Sequence, residues 1–439
     1  MLKTLVGAFK NKDIRKKILY TLMILVIVRV GSLLPIPGVD TEYFSSLLSG
    51  INTGDLSYLS AFTGGSFERM SLFALSITPY ITSSIIMQLL AIAIPKLEEM
   101  QKEGEDGRKK IAAITRYVTI ALALIESIAM SVGFGRSGLI KGYQGFSTLH
   151  YIVSIIVVVA ALTAGSAMLM WLGERITENG VGNGISIVLL INIISGMPSD
   201  FATLYSTFVA PRTIAKGVLA AAIIIAILVV MVVLVCFLQD GERRIPVQYS
   251  QKVSGRKSFG GQSTNIPLKV NTAGVMPVIF ASSLMQFPVI IAQLFGKSYE
   301  WTRYLSSSYW CRVEAPKYSI GLLVYIVLLI IFAYFYTSIT FNPIEVADNL
   351  KKAGGVIPGI TPGKSTSDYL NNILNYIVFV GAVGLLIVAL IPIMCTGFFN
   401  ASVSFGGTSV IIIVGVVLET LKQIESQMVN RYYKGFLSE

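Results

Sequence analysis

Charge is scarce in this sequence. Only 13% of the 439 residues are charged, about half the share in a typical soluble domain, whereas 54% are hydrophobic. A soluble chain of this length would need far more charged surface, so the composition indicates an integral membrane protein. The sequence has one histidine and three scattered cysteines, and it contains no CxxC or HExxH pattern. These residues are too few for the usual metal sites, a disulfide framework or Cys/His catalysis. No Walker A motif is present, so we expect no ATP hydrolysis by the chain itself.

The sequence is instead rich in long apolar segments. A helix needs about 20 apolar residues to cross a bilayer, and none of these segments alternates as an outer-membrane strand would. We therefore predict an all-α, multi-span membrane protein with ten transmembrane helices. The ten segments are 18–35, 71–94, 111–134, 151–171, 182–197, 214–238, 272–295, 318–340, 370–392 and 408–427.

The positive charge is unevenly distributed between the two sides of the membrane. If the N-terminus lies inside, 25 of the 35 Lys and Arg residues fall on the cytoplasmic side, which takes +9 of the net charge of +11. Both termini are therefore predicted to face the cytoplasm. Residues 1–197 hold five of the spans and residues 198–439 hold the other five. An odd number of spans in each half makes the second half run inverted, as in membrane folds with a central path.

Three features leave alternatives open on physical grounds. The stretch 56–66, which ends at Gly64 and Gly65, is too short to span, and it fits either a re-entrant segment or a turn lying on the surface. The basic loops 239–271 and 341–369 fit contact with anionic lipid as well as docking of an acidic partner. Charge within the membrane, which is typical of ion-coupled transporters, is confined to Arg29 and Glu126.

Longer motifs point to a known family. They follow one another in order along nearly the whole chain, and such a series is far more specific than any single pattern. On these motifs the chain resembles the SecY family, the channel subunits of the bacterial protein translocase. The segments that carry the resemblance are 34–38 (LPIPG), 63–65 (TGG), 102–110 (KEGEDGRKK), 170–186 (MWLGERITENGVGNGIS), 243–246 (RRIP), 267–274 (PLKVNTAG), 347–352 (ADNLKK), 358–363 (PGITPG) and 406–409 (GGTS).

The resemblance implies two inverted five-helix halves around a central, hourglass-shaped pore. Its constriction would be a ring of branched apolar side chains, which can exclude water and ions at rest and give a passing polypeptide nothing to bind. Two ring members lie four residues apart and so share one helix face. The implied ring is Ile77, Ile81, Leu189, Ile279 and Ile412.

The resemblance also assigns the remaining parts of a channel. Residues 56–66 become a plug, with Leu56, Leu59 and Phe62 in its body and Gly64 and Gly65 as its hinge. A lateral gate opens between the second and seventh spans. Its implied residues are Thr82, Ile85, Ile86, Ser283 and Phe287, with Thr119 and Glu126 on the third span. The implied docking surface for a SecA motor or a ribosome is Arg243, Arg244, Arg256, Lys257, Lys351 and Lys352, and Thr361 stands where the family often has arginine.

The predicted function is therefore a passive channel and not an enzyme, with no cofactor. It would move unfolded, signal-bearing precursor polypeptides across the bacterial cytoplasmic membrane, or release hydrophobic segments sideways into the lipid bilayer. SecE-type and SecG-type membrane subunits, the SecA motor ATPase and the ribosome are the implied partners. A secondary transporter of small solutes with inverted repeats is the alternative, and it would need charged groups near the midplane, where only Glu126 is available. A membrane enzyme such as an intramembrane protease would need a Ser/His pair, paired acids or a zinc site, and one histidine with Glu126 as the one acid near the midplane does not supply these.

Overall fold

Each of the ten predicted spans overlaps a helix. The computed structural model describes residues 9–50, 63–134, 148–211, 214–249, 253–254, 257–258, 263–294, 300–306, 309–311, 316–399 and 407–435. The helices are α1 (Lys12–Leu33), α2 (Thr41–Gly50), α3 (Thr78–Ala93), α4 (Pro95–Lys102), α5 (Glu105–Phe134), α6 (Thr148–Asn179), α7 (Gly184–Leu204), α8 (Ile214–Asp240), α9 (Met276–Leu294), α10 (Thr302–Leu305), α11 (Ile320–Thr340), α12 (Pro343–Lys352), α13 (Lys364–Phe399) and α14 (Gly407–Gly435). A π-helical turn, Tyr205–Val209, continues α7, and a 3-10 turn, Pro316–Ser319, leads into α11.

Length and hydropathy support six or seven membrane crossings among the described residues. Helical stretches that qualify alone lie along α5, α6, α7, α8, α11 with α12, and α13. A seventh is the pair α3 and α4, which is bent by 106° at the break between them. The multi-span prediction is therefore confirmed, whereas the crossings predicted at α1, α9 and α14 stay predictions.

The second span differs from its prediction as one helix over 71–94. Residues 64–70 and 72–77 form successive turns, with left-handed backbone at Met70 (φ +43°) and Ser76 (φ +53°), and α3 begins only at Thr78. The turns pair with the loop after α1: the N–H of Ile36 donates to the Met70 carbonyl at 3.1 Å. Pro79 lies in the first turn of α3, where a missing N–H costs no hydrogen bond, so this proline starts the helix and does not break one.

The basic loops contain β-structure that the sequence did not predict. The strands are β1 (Glu242–Tyr249), β2 (Val253–Ser254), β3 (Lys257–Ser258), β4 (Ser263–Lys269) and β5 (Gly355–Val356). β1 pairs antiparallel with β4 from Glu242↔Lys269 to Gln248↔Ser263, and β5 pairs with the other edge of β1 at Gln248↔Val356. The resulting sheet, in the order β4-β1-β5, joins the two loops that follow α8 and α11.

This sheet has a small core of its own. Ile245 and Val247 on β1 are buried, while the residues between and before them are exposed, which is the period-two pattern of a strand with one covered face. The buried side pairs with Leu350 on α12 and with Leu370 near the start of α13. The sheet and α12 therefore form one compact unit at the start of α13.

Candidate functional site

The five residues of the predicted ring lie together in one apolar cluster. Ile77, Leu189, Ile279 and Ile412 are buried there, each 5% exposed or less, and Ile81 packs against them. They come from four separate helices or helix ends: α3, α7, α9 and α14. The structure therefore brings together residues that are as far as 335 positions apart in the chain. The cluster brings only hydrocarbon to its centre.

Capping residues and a close helix contact determine where the helices that carry these side chains begin. Ile77 is the N-cap residue of α3, and its carbonyl accepts from the N–H of Ile81 at 3.1 Å, so the two side chains sit one turn apart. α7 begins at Gly184 after Asn183, whose side chain accepts from the N–H of Ile185 at 3.2 Å. A Cβ at Gly184 would lie 1.9 Å from the carbonyl oxygen of Gly173, so only glycine allows α7 to approach α6 this closely.

A polar layer adjoins the cluster along α7. Ser195 lies six residues beyond Leu189, about 9 Å along the helix axis, on the side away from the start of α7. Its Oγ accepts from Arg29 Nη1 at 2.9 Å, and it is within 3.4 Å of the carbonyl oxygen of Gly64. Asn192, between the two, donates from Nδ2 to Ser76 Oγ at 3.1 Å. Sequence reasoning singled out only Arg29 and Gly64 from this layer.

Both glycines of the predicted hinge have a backbone conformation that favours glycine. Gly64 has φ +62° and Gly65 has φ +79°, both in the left-handed region. A Cβ at Gly64 would lie 2.6 Å from Ser195 Oγ and 2.8 Å from the Asn192 carbonyl oxygen, whereas a Cβ at Gly65 would meet nothing within 4 Å. Leu56, Leu59 and Phe62, the predicted body of the plug, lie outside the described residues.

The predicted gate residues lie on α3 and α9. Thr82, Ile85 and Ile86 are half-buried on α3, and the Thr82 hydroxyl donates to the carbonyl of Thr78 in its own helix at 3.1 Å. Ser283 is half-buried on α9, which contacts α5. Phe287 also lies on α9, but its side chain is outside the described part.

The two additional gate candidates lie on α5. The Thr119 hydroxyl is buried and donates to the carbonyl of Thr115 at 2.7 Å, so its hydrogen bond stays within its own helix. Glu126 is half-buried one to two turns further along. Nothing in these contacts joins α5 to α3 or α9 through either side chain.

Four of the six predicted docking residues lie on the sheet unit. Arg243 and Arg244 are exposed on β1, and Lys351 and Lys352 are exposed in the last turn of α12. The Arg244 guanidinium forms an ion pair with Glu242 at 2.6 Å, so part of its charge is already compensated. Arg256 lies outside the described residues. Lys257 is in β3, with its side chain outside the described part.

Thr361 is exposed in the loop that leads into α13. Its carbonyl accepts from the Thr366 hydroxyl at 3.0 Å, just inside α13. This residue stands where a family arginine would add a cation, and it closes a turn with its backbone. Within the described part of the chain, no group of three His, Cys, Asp or Glu side chains could hold a metal ion.

Comparisons with known proteins agree on one family. The SecY family model matches residues 71–421. Protein translocase subunits SecY from Streptomyces scabiei and Bacillus subtilis (strain 168) are 44% and 42% identical to the chain, each over 445 residues that cover all of both chains.

Solved structures agree on the fold. The structure of "a protein conducting channel" superimposes with a TM-score of 0.61 at 18% identity and covers 94% of this chain and 93% of that one. Sec61 in the canine ribosome-channel complex gives a TM-score of 0.58, also at 18% identity, covering 94% of this chain and 93% of that one. Since more than two thirds of the chain matches the family model and full-length relatives exceed 40% identity, the chain belongs to the SecY family.

Proposed function

We propose that the chain is the protein-conducting subunit of a translocase in the cytoplasmic membrane of a bacterium. It moves unfolded, signal-bearing polypeptides across that membrane and releases hydrophobic segments into the lipid. The observation that carries the proposal is the cluster of Ile77, Ile81, Leu189, Ile279 and Ile412, because four different helix ends converge on it and none contributes a charge.

An apolar constriction suits a channel with no fixed substrate sequence. A narrow ring of hydrocarbon side chains empties of water, which blocks ions at rest. A ring without charges or hydrogen-bonding groups does not hold a passing chain by its side chains. The separate helix origins of the ring also allow it to widen, since no covalent loop closes it.

The remaining parts of the proposal follow the family pattern. Residues 1–197 and 198–439 form two inverted halves, 56–66 seals the pore as a plug, and the lateral gate opens between α3 and α9. Both termini lie in the cytoplasm, in keeping with the excess of Lys and Arg in the segments assigned to that side. The sheet unit then also faces the cytoplasm.

The partners in this proposal are of two kinds. SecE-type and SecG-type subunits lie beside the chain in the membrane, and the energy comes from a SecA motor or from ribosomal synthesis. The exposed cations on β1 and α12 suit a docking surface for SecA or the ribosome, because one packed unit presents charges from two separate loops. The solved Sec61 structure named above is itself a ribosome-channel complex.

Reconstitution tests the proposal directly. The chain is inserted into vesicles together with the SecE-type and SecG-type subunits and is supplied with SecA, ATP and a signal-bearing precursor. We expect precursor to become protected from protease only when ATP is present, and a precursor without its signal to stay accessible. Protection that is independent of ATP and signal, or no protection of any precursor, would contradict the proposed function.

A further inference from the structure

Arg29 is a charged side chain within the first predicted span, about one turn before the end of α1. Charged groups in this environment are costly, and they persist where a specific partner or a function requires them. Arg29 lies on α1 and is half-buried, with its Nη1 donating to Ser195 Oγ on α7 at 2.9 Å. The guanidinium therefore links the first and fifth spans through a neutral hydroxyl.

Ser195 is the centre of this contact. Besides accepting from Arg29, its hydroxyl lies 2.7 Å from the Asn192 carbonyl oxygen and 3.4 Å from the Gly64 carbonyl oxygen. The hydroxyl has a single proton, so a strong hydrogen bond to one carbonyl leaves only a weak one to the other, and the distances favour Asn192. The hydroxyl can therefore donate either within α7 or across to the segment before α3.

This choice makes the cross-segment contact reversible. If the turn at Gly64 moves away, the Ser195 hydroxyl keeps its bond to Asn192 within its own helix and is not left unsatisfied. Gly64 in turn fits against α7 only because it has no side chain. Contact and release are thus both allowed by the same three residues.

We infer that Arg29 and Ser195 are positioning residues that hold the turn at Gly64 against α7 and so keep the channel closed at rest. The inference rests on the proposed function, in which Gly64 is part of the hinge of the seal. Arg29 donates to the Ser195 hydroxyl, and the Gly64 carbonyl oxygen lies within 3.4 Å of the same hydroxyl as a second acceptor. The held turn lies next to the apolar cluster, one to two turns of α7 beyond Leu189.

The test compares Ser195→Ala with a matched variant, Ser32→Ala. Ser32 is a buried serine near the same end of α1 as Arg29, and its hydroxyl donates to Val28 within its own helix. Each channel is reconstituted with its membrane subunits, and its resting ion conductance is measured. Losing one interhelical hydrogen bond in a membrane shifts a two-state equilibrium by about threefold, so we expect a resting conductance about three times higher for Ser195→Ala and an unchanged one for Ser32→Ala.

A double-mutant cycle separates positioning from general loss of structure. If Arg29 acts through Ser195, then Arg29→Gln combined with Ser195→Ala should raise conductance no further than the larger single change. The same variants should export a precursor with a defective signal better, relative to an intact precursor. A change that only destabilised the fold would lower export of both precursors.

The results distinguish a failure of this inference from a failure of the proposed function. Ile81→Ser serves as the reference, because it alters the ring itself. If Ile81→Ser raises the conductance and Ser195→Ala does not, or if the effects of Arg29→Gln and Ser195→Ala add, the inference is wrong and the function stands. If the unaltered protein protects no precursor, the proposed function itself is wrong.

Discussion

Replacing Gly64 by alanine should open the resting channel, whereas the same change one residue later should have little effect. Both glycines have positive φ, so an alanine at either position costs about 1 kcal/mol in backbone strain. The two sites differ in space. At Gly64 the added Cβ would lie 2.8 Å from the Asn192 carbonyl oxygen and 3.0 Å from its Cα, and these backbone atoms cannot rotate away. At Gly65 it would meet no atom within 4 Å.

The difference in space sets the expected size of the effect. Forcing a methyl group into a packed contact typically costs about 1–3 kcal/mol beyond the strain. If the held turn is the closed state, that cost shifts the closed-to-open ratio by about fivefold to 150-fold more for Gly64→Ala than for Gly65→Ala. The strain term is common to both variants and cancels in the comparison.

Resting ion conductance of the reconstituted channel measures this shift. We expect a clear rise for Gly64→Ala and at most a small one for Gly65→Ala. A thermal unfolding curve of each purified variant checks that both remain folded. Equal conductances of the two folded variants, or a larger rise for Gly65→Ala, would refute the assignment of the Gly64 turn to the closed state.

Three further predictions test the ring, the docking surface and the rival function. Serine at Ile81 and Ile279 should raise resting conductance, because polar side chains let water enter a hydrocarbon constriction. Arg243→Glu should weaken SecA or ribosome binding more than Arg244→Glu, since Arg244 is already paired with a neighbouring carboxylate and contributes less free charge; equilibrium binding at low salt measures both. Glu126→Gln should leave precursor translocation within about twofold of the unaltered protein, because a passive channel does not need a titratable group there.

Opposite results have defined meanings. Unchanged conductance in the serine variants would contradict the assignment of Ile81 and Ile279 to the pore constriction. Equal losses of binding at the two arginines would mean that the Glu242 ion pair does not matter for docking, and no loss at either would leave them as topology signals. Complete loss of precursor translocation with Glu126→Gln would contradict a passive channel and would mean that transport depends on this titratable group.

The sequence predicted the positions of the long helices well and the second span poorly. Apolar length marks a membrane segment but not its backbone, so 71–94 read as one continuous helix. The turns before Thr78 depend on pairing between Pro35 and Ser71, and on left-handed backbone at Ser76, which no local propensity reveals. The role of Pro79 also depends on where the helix starts, since a proline in the first turn begins a helix and one further along would break it.

The sheet was missed for a related reason. Its two longer strands are polar on one face, and each carries a proline in the middle, Pro246 in β1 and Pro267 in β4, which argues against a strand in a single sequence. Only the pairing of the two strands across their loop, and the packing of Ile245 and Val247 against α12, makes them stable. Such long-range contacts are invisible in a local pattern.

The candidate site divides in the same way. The ring residues are ordinary branched side chains, and only the family resemblance picked them from among many. The partners of Arg29 were missed altogether, because serine has no sequence signature for this role and Ser195 is 166 residues away. Folding, and not local chemistry, brings Ser195, Gly64 and Arg29 together.

The paired strands β1 and β4 also have the shape of an arm attached to α8 at one end of the chain segment and leading to α9 at the other. The seven residues of β4 measure about 23 Å when extended, and the strand ends at Lys269, ten residues before Ile279. A tilt of such an arm by about 5° about its base corresponds to a movement of its far end by about 2 Å. Because β5 binds the other edge of β1, the same tilt also pulls on the chain between α12 and α13. A load on the paired strands would therefore fall on the two chain segments that lead into α9, which carries Ile279, and into α13.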